Sequence, residues 1–182
     1  MNPVKKISLP ENDLLVLEAQ AGNVRAFNLL FTAYNKPLLR FAFNVCGDEQ
    51  LSKDAVQEAW ITLSKTLSKL KDPRGFKVWA YKTVKWRVTD QVRRRGVIHA
   101  VLDDCERGVD APAMHAEATS SQLKAHIARL PPDDRQTLTL FYLGELTLIE
   151  IAAVLDIPVG TVKSRLYRAR TQLREQMSGE LT

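Results

Sequence analysis

Apolar residues recur at three- and four-residue spacing along nearly all of this 182-residue chain, and no strand-like alternation persists. A repeat of that length gives each segment one apolar helical stripe, which must be buried against other helices. The chain is therefore expected to be all-α. The period fails once, over residues 97–119, where Asp103-Asp104, Gly108, Asp110 and Pro112 interrupt any regular pattern. Such a stretch reads as a flexible linker. Two small helical domains are predicted, 1–96 and 120–182.

The individual helices follow from caps and breakers. Asn12 or Asp13 can cap a first helix, which Gly22-Asn23 ends. A second runs from about Val24 to Val45, with Phe27, Leu30, Phe31 and Tyr34 at helical spacing, and Pro37 is expected to kink or break it. The third, from about Ser52 to Leu67, carries the stripe Ala55-Val56, Ala59-Trp60, Leu63 and Leu67. A Pro- and Gly-containing loop over Leu70 to Gly75 leads into a fourth helix, Phe76 to about Arg95. After the linker, Pro131-Pro132 punctuates the second block, with Asp133 or Asp134 available as the next cap and Gly144 as its end.

Composition is that of a globular protein, 45% hydrophobic and 26% charged, with a formal net charge of +5. The distribution of that charge says more than its size. Nine Lys or Arg stand against two Asp between Lys71 and Arg95, and the five charges from Lys163 to Arg174 are all positive. Basic residues gathered into two patches point to nucleic acid. Cys46 and Cys105 are far apart and share no metal-ligand spacing, so neither a disulfide framework nor a zinc site is expected, in keeping with a cytoplasmic protein. No signal peptide and no membrane span is expected. Without a Gly-rich phosphate loop, metal cluster or nucleophile–base pairing, no catalytic residue, cofactor or metal is assigned.

The C-terminal quarter reads as a helix-turn-helix. Thr147 and Glu150 have capping-box spacing, and Leu148, Ile151, Ala152 and Leu155 form the inner stripe of a short helix. Asp156-Ile157-Pro158 makes the turn, and Val159-Gly160-Thr161 opens a second helix whose Val162, Leu166, Ala169 and Leu173 face inward. Its remaining positions include Lys163, Ser164, Arg165, Tyr167, Arg168 and Arg170. The first turns of such a helix enter the major groove. Thr161, Lys163, Ser164 and Arg165 are accordingly candidates for base and nearby phosphate contact, while Arg168, Arg170 and Arg174 suit phosphates.

The fourth helix has two faces. Val78, Tyr81, Val84, Val88 and Val92 form a core side, and opposite them lie Trp79, Lys82, Trp86, Thr89, Asp90 and Arg93, followed by Arg94 and Arg95. Aromatic rings among cations suit a single nucleic-acid strand, whose bases stack while its phosphates pair. Packing of Trp79 or Trp86 against a neighbouring helix is the alternative. On the third helix, Asp54, Gln57, Glu58 and Ile61 share a face that reads either as solvated surface or as a protein-docking site.

These segments together resemble bacterial sigma factors. Asp54-Ala-Val-Gln-Glu-Ala-Trp60 resembles the family's core-polymerase-binding helix, usually D-x-x-Q-E-x-F. Trp79-Ala-Tyr-Lys with Asp90-Gln-Val-Arg-Arg-Arg95 resembles its promoter-melting helix, and Leu130-Pro-Pro-Asp-Asp-Arg135 through Arg170 its −35-reading domain. Two domains on a short linker resemble the small extracytoplasmic-function (ECF) group. The resemblance implies a subunit, not an enzyme, that directs core RNA polymerase to a set of promoters, stress- or envelope-responsive. Asp54, Gln57, Glu58 and Ile61 would dock on the largest subunit's clamp, and the polymerase's flap region would be a further contact. The −10 strand would meet Arg74, Lys82, Lys85, Trp86, Thr89, Asp90, Arg93 and Arg94. Thr161, Lys163, Ser164, Arg165, Arg168 and Arg170 would meet the −35 duplex. An anti-sigma partner is implied; a homo-oligomer is not.

Five positions, at four places in the chain, depart from the family's habit. Lys85-Trp86 stands where Arg-Asn is common, Gln91 where Trp or Leu is, Trp60 where Phe is, and Lys53 where a small or acidic residue is. The first bears on −10 base preference and the last on polymerase affinity. The chain ends soon after the basic helix, so no fused regulatory domain is expected. The competing reading is a stand-alone helix-turn-helix regulator with a helical sensor domain, which leaves the aromatic basic helix without a purpose. A purely protein-binding adaptor leaves both cationic patches unexplained.

Overall fold

The computed structural model describes residues 9–99, 123 and 125–178, and the chain divides into two compact units, Met1–Arg95 and Gly96–Thr182. Among the described residues there is no strand, and no helix is long and apolar enough to cross a membrane.

The first unit is built from α1 (Leu9–Gln20), α2 (Val24–Cys46), α3 (Glu49–Thr66) and α4 (Phe76–His99). Its core is formed by Val16, Leu30, Leu38, Phe41, Ala55, Leu63, Phe76, Tyr81, Val84 and Val88, all essentially without exposed surface. Burying the larger of these side chains stabilises the unit by roughly 1.5–3 kcal/mol each before chain entropy is counted. The predicted α3 stripe, Ala55, Val56, Ala59, Trp60, Leu63 and Leu67, is buried in full.

Caps explain the joints. Gly22 has φ +91°, a conformation that most side chains resist, and turns the chain out of α1. Asn23 then caps α2, its side chain accepting from the backbone N–H groups of Arg25 and Ala26. Gly47, at φ +70°, closes α2 with its N–H on the Phe43 carbonyl, and the Asp48 side chain accepts from Leu51 N–H to open α3.

Several expectations shift here. Helix α1 begins at Leu9, before Asn12 and Asp13. Asn12 is instead a buried residue inside the helix, accepting a 2.7 Å bond from the Tyr34 hydroxyl of α2. Helix α2 runs unbroken through Pro37. Leu30, Leu38, Phe41 and Ala42 on either side of the proline are buried, so packing offsets the one backbone bond it removes. On α4, Val78 is only half-buried and Val92 is 41% exposed, while Phe76 and Ala80 join the core in their place.

The second unit contains a helical stretch at 125–128, then α5 (Pro132–Tyr142), α6 (Leu148–Leu155) and α7 (Val159–Ser178). Leu138, Leu140, Ile151, Val154, Val162, Leu166 and Ala169 are its buried centre. Pro131, not an aspartate, stands at the cap of α5, and its side chain can offer no bond. Asp133 and Asp134 lie within the first turn, where the helix dipole favours negative charge. The Thr147–Glu150 capping box forms as read, with bonds of 2.7 and 3.3 Å. Asp156, at φ +57°, ends α6 and starts the turn. The predicted linker lies almost wholly outside the described residues, as does Cys105.

Candidate nucleic-acid interface

On α4 the polar face is graded. Trp86 is 57% exposed, Lys82, Thr89, Arg93 and Arg94 are exposed, and Lys85 is half-buried. Trp79 is instead half-buried, with its ring edge-on to Phe76 at 6.2 Å. Asp90 lies on the predicted face but is only 9% exposed, and its two oxygens hold Arg93 at 3.1 Å and Arg94 at 2.7 Å. It is a strut for two arginines. Arg95 reaches back to Asp48 at 3.0 Å, tying the end of the helix to the cap of α3.

One face of Trp86 is covered. The Arg87 guanidinium sits 4.6 Å from its ring centroid, within cation–π range. That guanidinium is fixed in turn, donating to Thr62 Oγ1 at 2.7 Å and lying 3.5 Å from Glu58. Trp86 therefore presents a ring backed by a fixed cation.

The loop before α4 is held from a distance. Gln20, the last residue of α1, donates from one amide nitrogen to the carbonyls of Leu67 at 3.0 Å and Leu70 at 2.7 Å. Asp72 caps the next turn and receives a two-pronged bond from Arg74, whose side chain is 78% exposed. The Arg74 hydrogen bond holds the Asp72 carboxyl below its usual range. Nothing in the sequence pattern singled out Gln20. Replacing it with Ala leaves two carbonyls without this donor, at a cost of about 1–2 kcal/mol. For Gln20→Ala we expect the first unit to melt roughly 5–15 °C lower, by calorimetry on the full chain; an unchanged transition would show the amide to be dispensable.

The four α3 residues do not act as one face. Asp54 accepts from Gln50 along the helix at 2.9 Å, and Glu58 turns toward α4. Gln57 and Ile61 instead line an apolar groove of about 420 Å³ between α2 and α3, with Phe27, Phe31, Leu39 and Trp60. Phe31 and Ile61 are 41% and 47% exposed. Trp60 forms the floor, its indole N–H 3.2 Å from Asn35 and its ring in contact range of Phe27 and Phe31. Lys53 lies at the groove's edge, paired with Glu49 at 2.6 Å.

On α7, Lys163 and Ser164 are exposed near the helix start and Thr161 is half-buried. Three of its arginines are engaged. Arg165, with a side chain only 17% exposed, pairs with Asp133. Arg168 binds Asp134 through both Nε and Nη2, which holds its guanidinium above its usual range. Arg170 donates to the Tyr142 hydroxyl at 3.1 Å and lies over the rings of Phe141 and Tyr142. Tyr167, given no role from the sequence, is 74% exposed. Its spacing from Lys163 and Arg170 puts all three on one side of the helix, a signal the sequence did contain.

Two family models match the chain: "Sigma-70 region 2" over residues 30–97 and "Sigma-70, region 4" over residues 120–173. Among curated relatives, the ECF RNA polymerase sigma-E factor of Haemophilus influenzae is 31% identical, covering 90% of this chain and 93% of its own. The RNA polymerase sigma-H factor of Pseudomonas aeruginosa is 30% identical over 88% and 90%. The ECF RNA polymerase sigma factor SigW of Bacillus subtilis is 27% identical over 89% and 94%. The fold is shared with the sigma factor RpoE of Bartonella quintana, solved in complex with the anti-sigma factor NepR. That match has a TM-score of 0.70 and 22% identity, over 85% of this chain and 98% of that one. CnrH, solved with the cytosolic domain of CnrY, gives 0.65 and 23%, over 92% and 97%.

Proposed function

Because this chain belongs to the extracytoplasmic-function group of the sigma-70 family, we propose that it binds core RNA polymerase and directs it to a specific set of promoters. The observation that carries this reading is the presence, in one chain, of an apolar groove beside Gln57 and Ile61 and two separate basic faces. A stand-alone repressor needs only one of the three.

In this reading the α2–α3 groove, with Asp54 and Gln57 at its rim, receives the polymerase clamp. Glu58 serves indirectly, by holding Arg87. The loop after Leu70 and the exposed face of α4 take the opened −10 strand: Trp86 stacks on a base, and Arg74, Lys82, Lys85, Thr89, Arg93 and Arg94 follow the backbone. Exposing a base costs a few kcal/mol, which stacking and phosphate contacts offset. Lys163, Ser164 and Tyr167 on α7, with Thr161, Arg165, Arg168 and Arg170, meet the −35 duplex. Residues 1–96 and 120–182 are the two functional domains, joined by the linker 97–119. No bond is made or broken by this protein, and it works in the cytoplasm. Relatives solved with an anti-sigma factor or with a partner's cytosolic domain support an anti-sigma partner here too, and the family's habit supports a stress- or envelope-linked regulon.

Core polymerase with this chain melts a cognate promoter, and the chain alone binds DNA weakly. Tight sequence-specific binding by the isolated protein, unaffected by Asp54→Ala or Gln57→Ala, would overturn the reading. A narrower expectation concerns Lys163. Lys163→Ala lowers the slope of log affinity against log salt by about one if the lysine grips a phosphate. A wild-type slope with relaxed sequence preference would make it a base contact instead.

A further inference from the structure

Helix α5 opens with two carboxylates, and both meet the basic helix. Asp134 is 1% exposed, and its two oxygens accept from Arg168 Nε at 3.1 Å and Nη2 at 2.8 Å. Arg168 itself remains largely in solvent, its side chain 56% exposed. Asp133, on the open edge of the same turn, pairs with Arg165.

A pair with one end buried and the other exposed is not explained by burial alone. A buried carboxylate needs a partner, yet an apolar residue at 134 would need none. The geometry does two things to Arg168. It fixes the plane of the guanidinium, since a two-pronged bond to a carboxylate permits one orientation. It also sets a negative charge against a cation that would otherwise face phosphates. The first favours a contact that depends on direction; the second weakens one that depends only on charge.

We propose that Asp134 is a specificity-determining positioning residue: by holding and partly neutralising Arg168, it makes the basic helix α7 discriminate between duplex sequences at the expense of indiscriminate grip. This rests on the reading of α7 as the −35 helix. Asp134 touches no DNA; it acts through Arg168. Neutralising one cation reduces the counterions that binding releases, so the effect is visible in salt dependence as well as in selectivity.

The test uses holoenzyme assembled from the full chain and core polymerase, with a pool of promoter-length duplexes randomised over the −35 positions. Wild-type holoenzyme selects a sequence set, and affinities for selected and unselected duplexes are measured across a salt series. Asp134→Asn keeps the shape and removes the charge. It is expected to lower the selected-to-unselected ratio about tenfold, to raise affinity for unselected DNA, and to steepen the salt slope by up to about one. Asp134→Glu keeps the charge but displaces it, so the ratio falls while the slope stays at wild type. A wild-type ratio in either variant overturns the proposal. So does a parallel loss on both duplex sets that tracks a lowered melting temperature, since that marks a merely structural residue. If the wild type selects no sequence, the reading of α7 itself fails and takes the proposal with it.

Discussion

Ile61→Asp prevents assembly with core polymerase while leaving the isolated protein folded. Ile61 is 47% exposed at the rim of the α2–α3 groove, so in the free protein a carboxylate there stays in water and costs little. In the proposed complex with polymerase the same position would be covered. Removing an apolar anchor from the centre of an interface typically costs 2–4 kcal/mol, and burying an unpaired charge adds to it. Binding should weaken by about a hundredfold or more. Titration of labelled core polymerase measures the affinity, and circular dichroism shows the melting transition within a few degrees of wild type. Wild-type affinity would place the polymerase contact elsewhere on the protein.

The second large effect is at Trp86. Trp86 is 57% exposed, with the Arg87 guanidinium 4.6 Å from its ring centroid. Stacking of a base on such a ring contributes about 1–3 kcal/mol, so Trp86→Ala should reduce open-complex formation roughly 5- to 150-fold. Binding of closed, duplex promoter should be nearly unchanged, because in the proposed reading the opened strand alone meets the ring. Trp86→Phe restores much of the loss, since a smaller ring still stacks. Permanganate footprinting of unpaired thymines separates opening from binding. Equal loss of closed and open complexes would show that Trp86 contributes to holoenzyme integrity instead of strand capture.

What could be read from the chain was what depends on neighbours in sequence. The α3 stripe from Ala55 to Leu67 and the Thr147–Glu150 capping box involve residues a few positions apart, and both formed as expected. The patterning of α4 left both tryptophans open between an exposed and a packed place, and the structure divides them, Trp86 exposed and Trp79 half-buried. What escaped was tertiary. Asn12 looked like a cap because Asn is a good one, but Tyr34 of the next helix takes its side chain. Pro37 was expected to kink or break α2, as it would an isolated helix; α2 runs on without a break, with buried neighbours on both sides of the proline. Gln20 bonds to carbonyls 47 and 50 positions away, and Arg165 and Arg168 to carboxylates 32 and 34 away. No local pattern announces such partners. The cation count on α7 was right; their availability was not a property of that helix alone.

Neighbouring positions on α3 answer to different structures. Gln57 opens onto the groove and Glu58, one residue on, is bonded into the support of Trp86. A helix advances 100° per residue, so two surfaces can be written on one short segment. The consequence is a constraint on drift. A change at 58 loosens Arg87, and a change at 86 that suits a new strand preference passes back through Arg87 to α3. Relatives that diverge in promoter choice at 86 should therefore be expected to change at 58, 62 or 87 together, as a linked set.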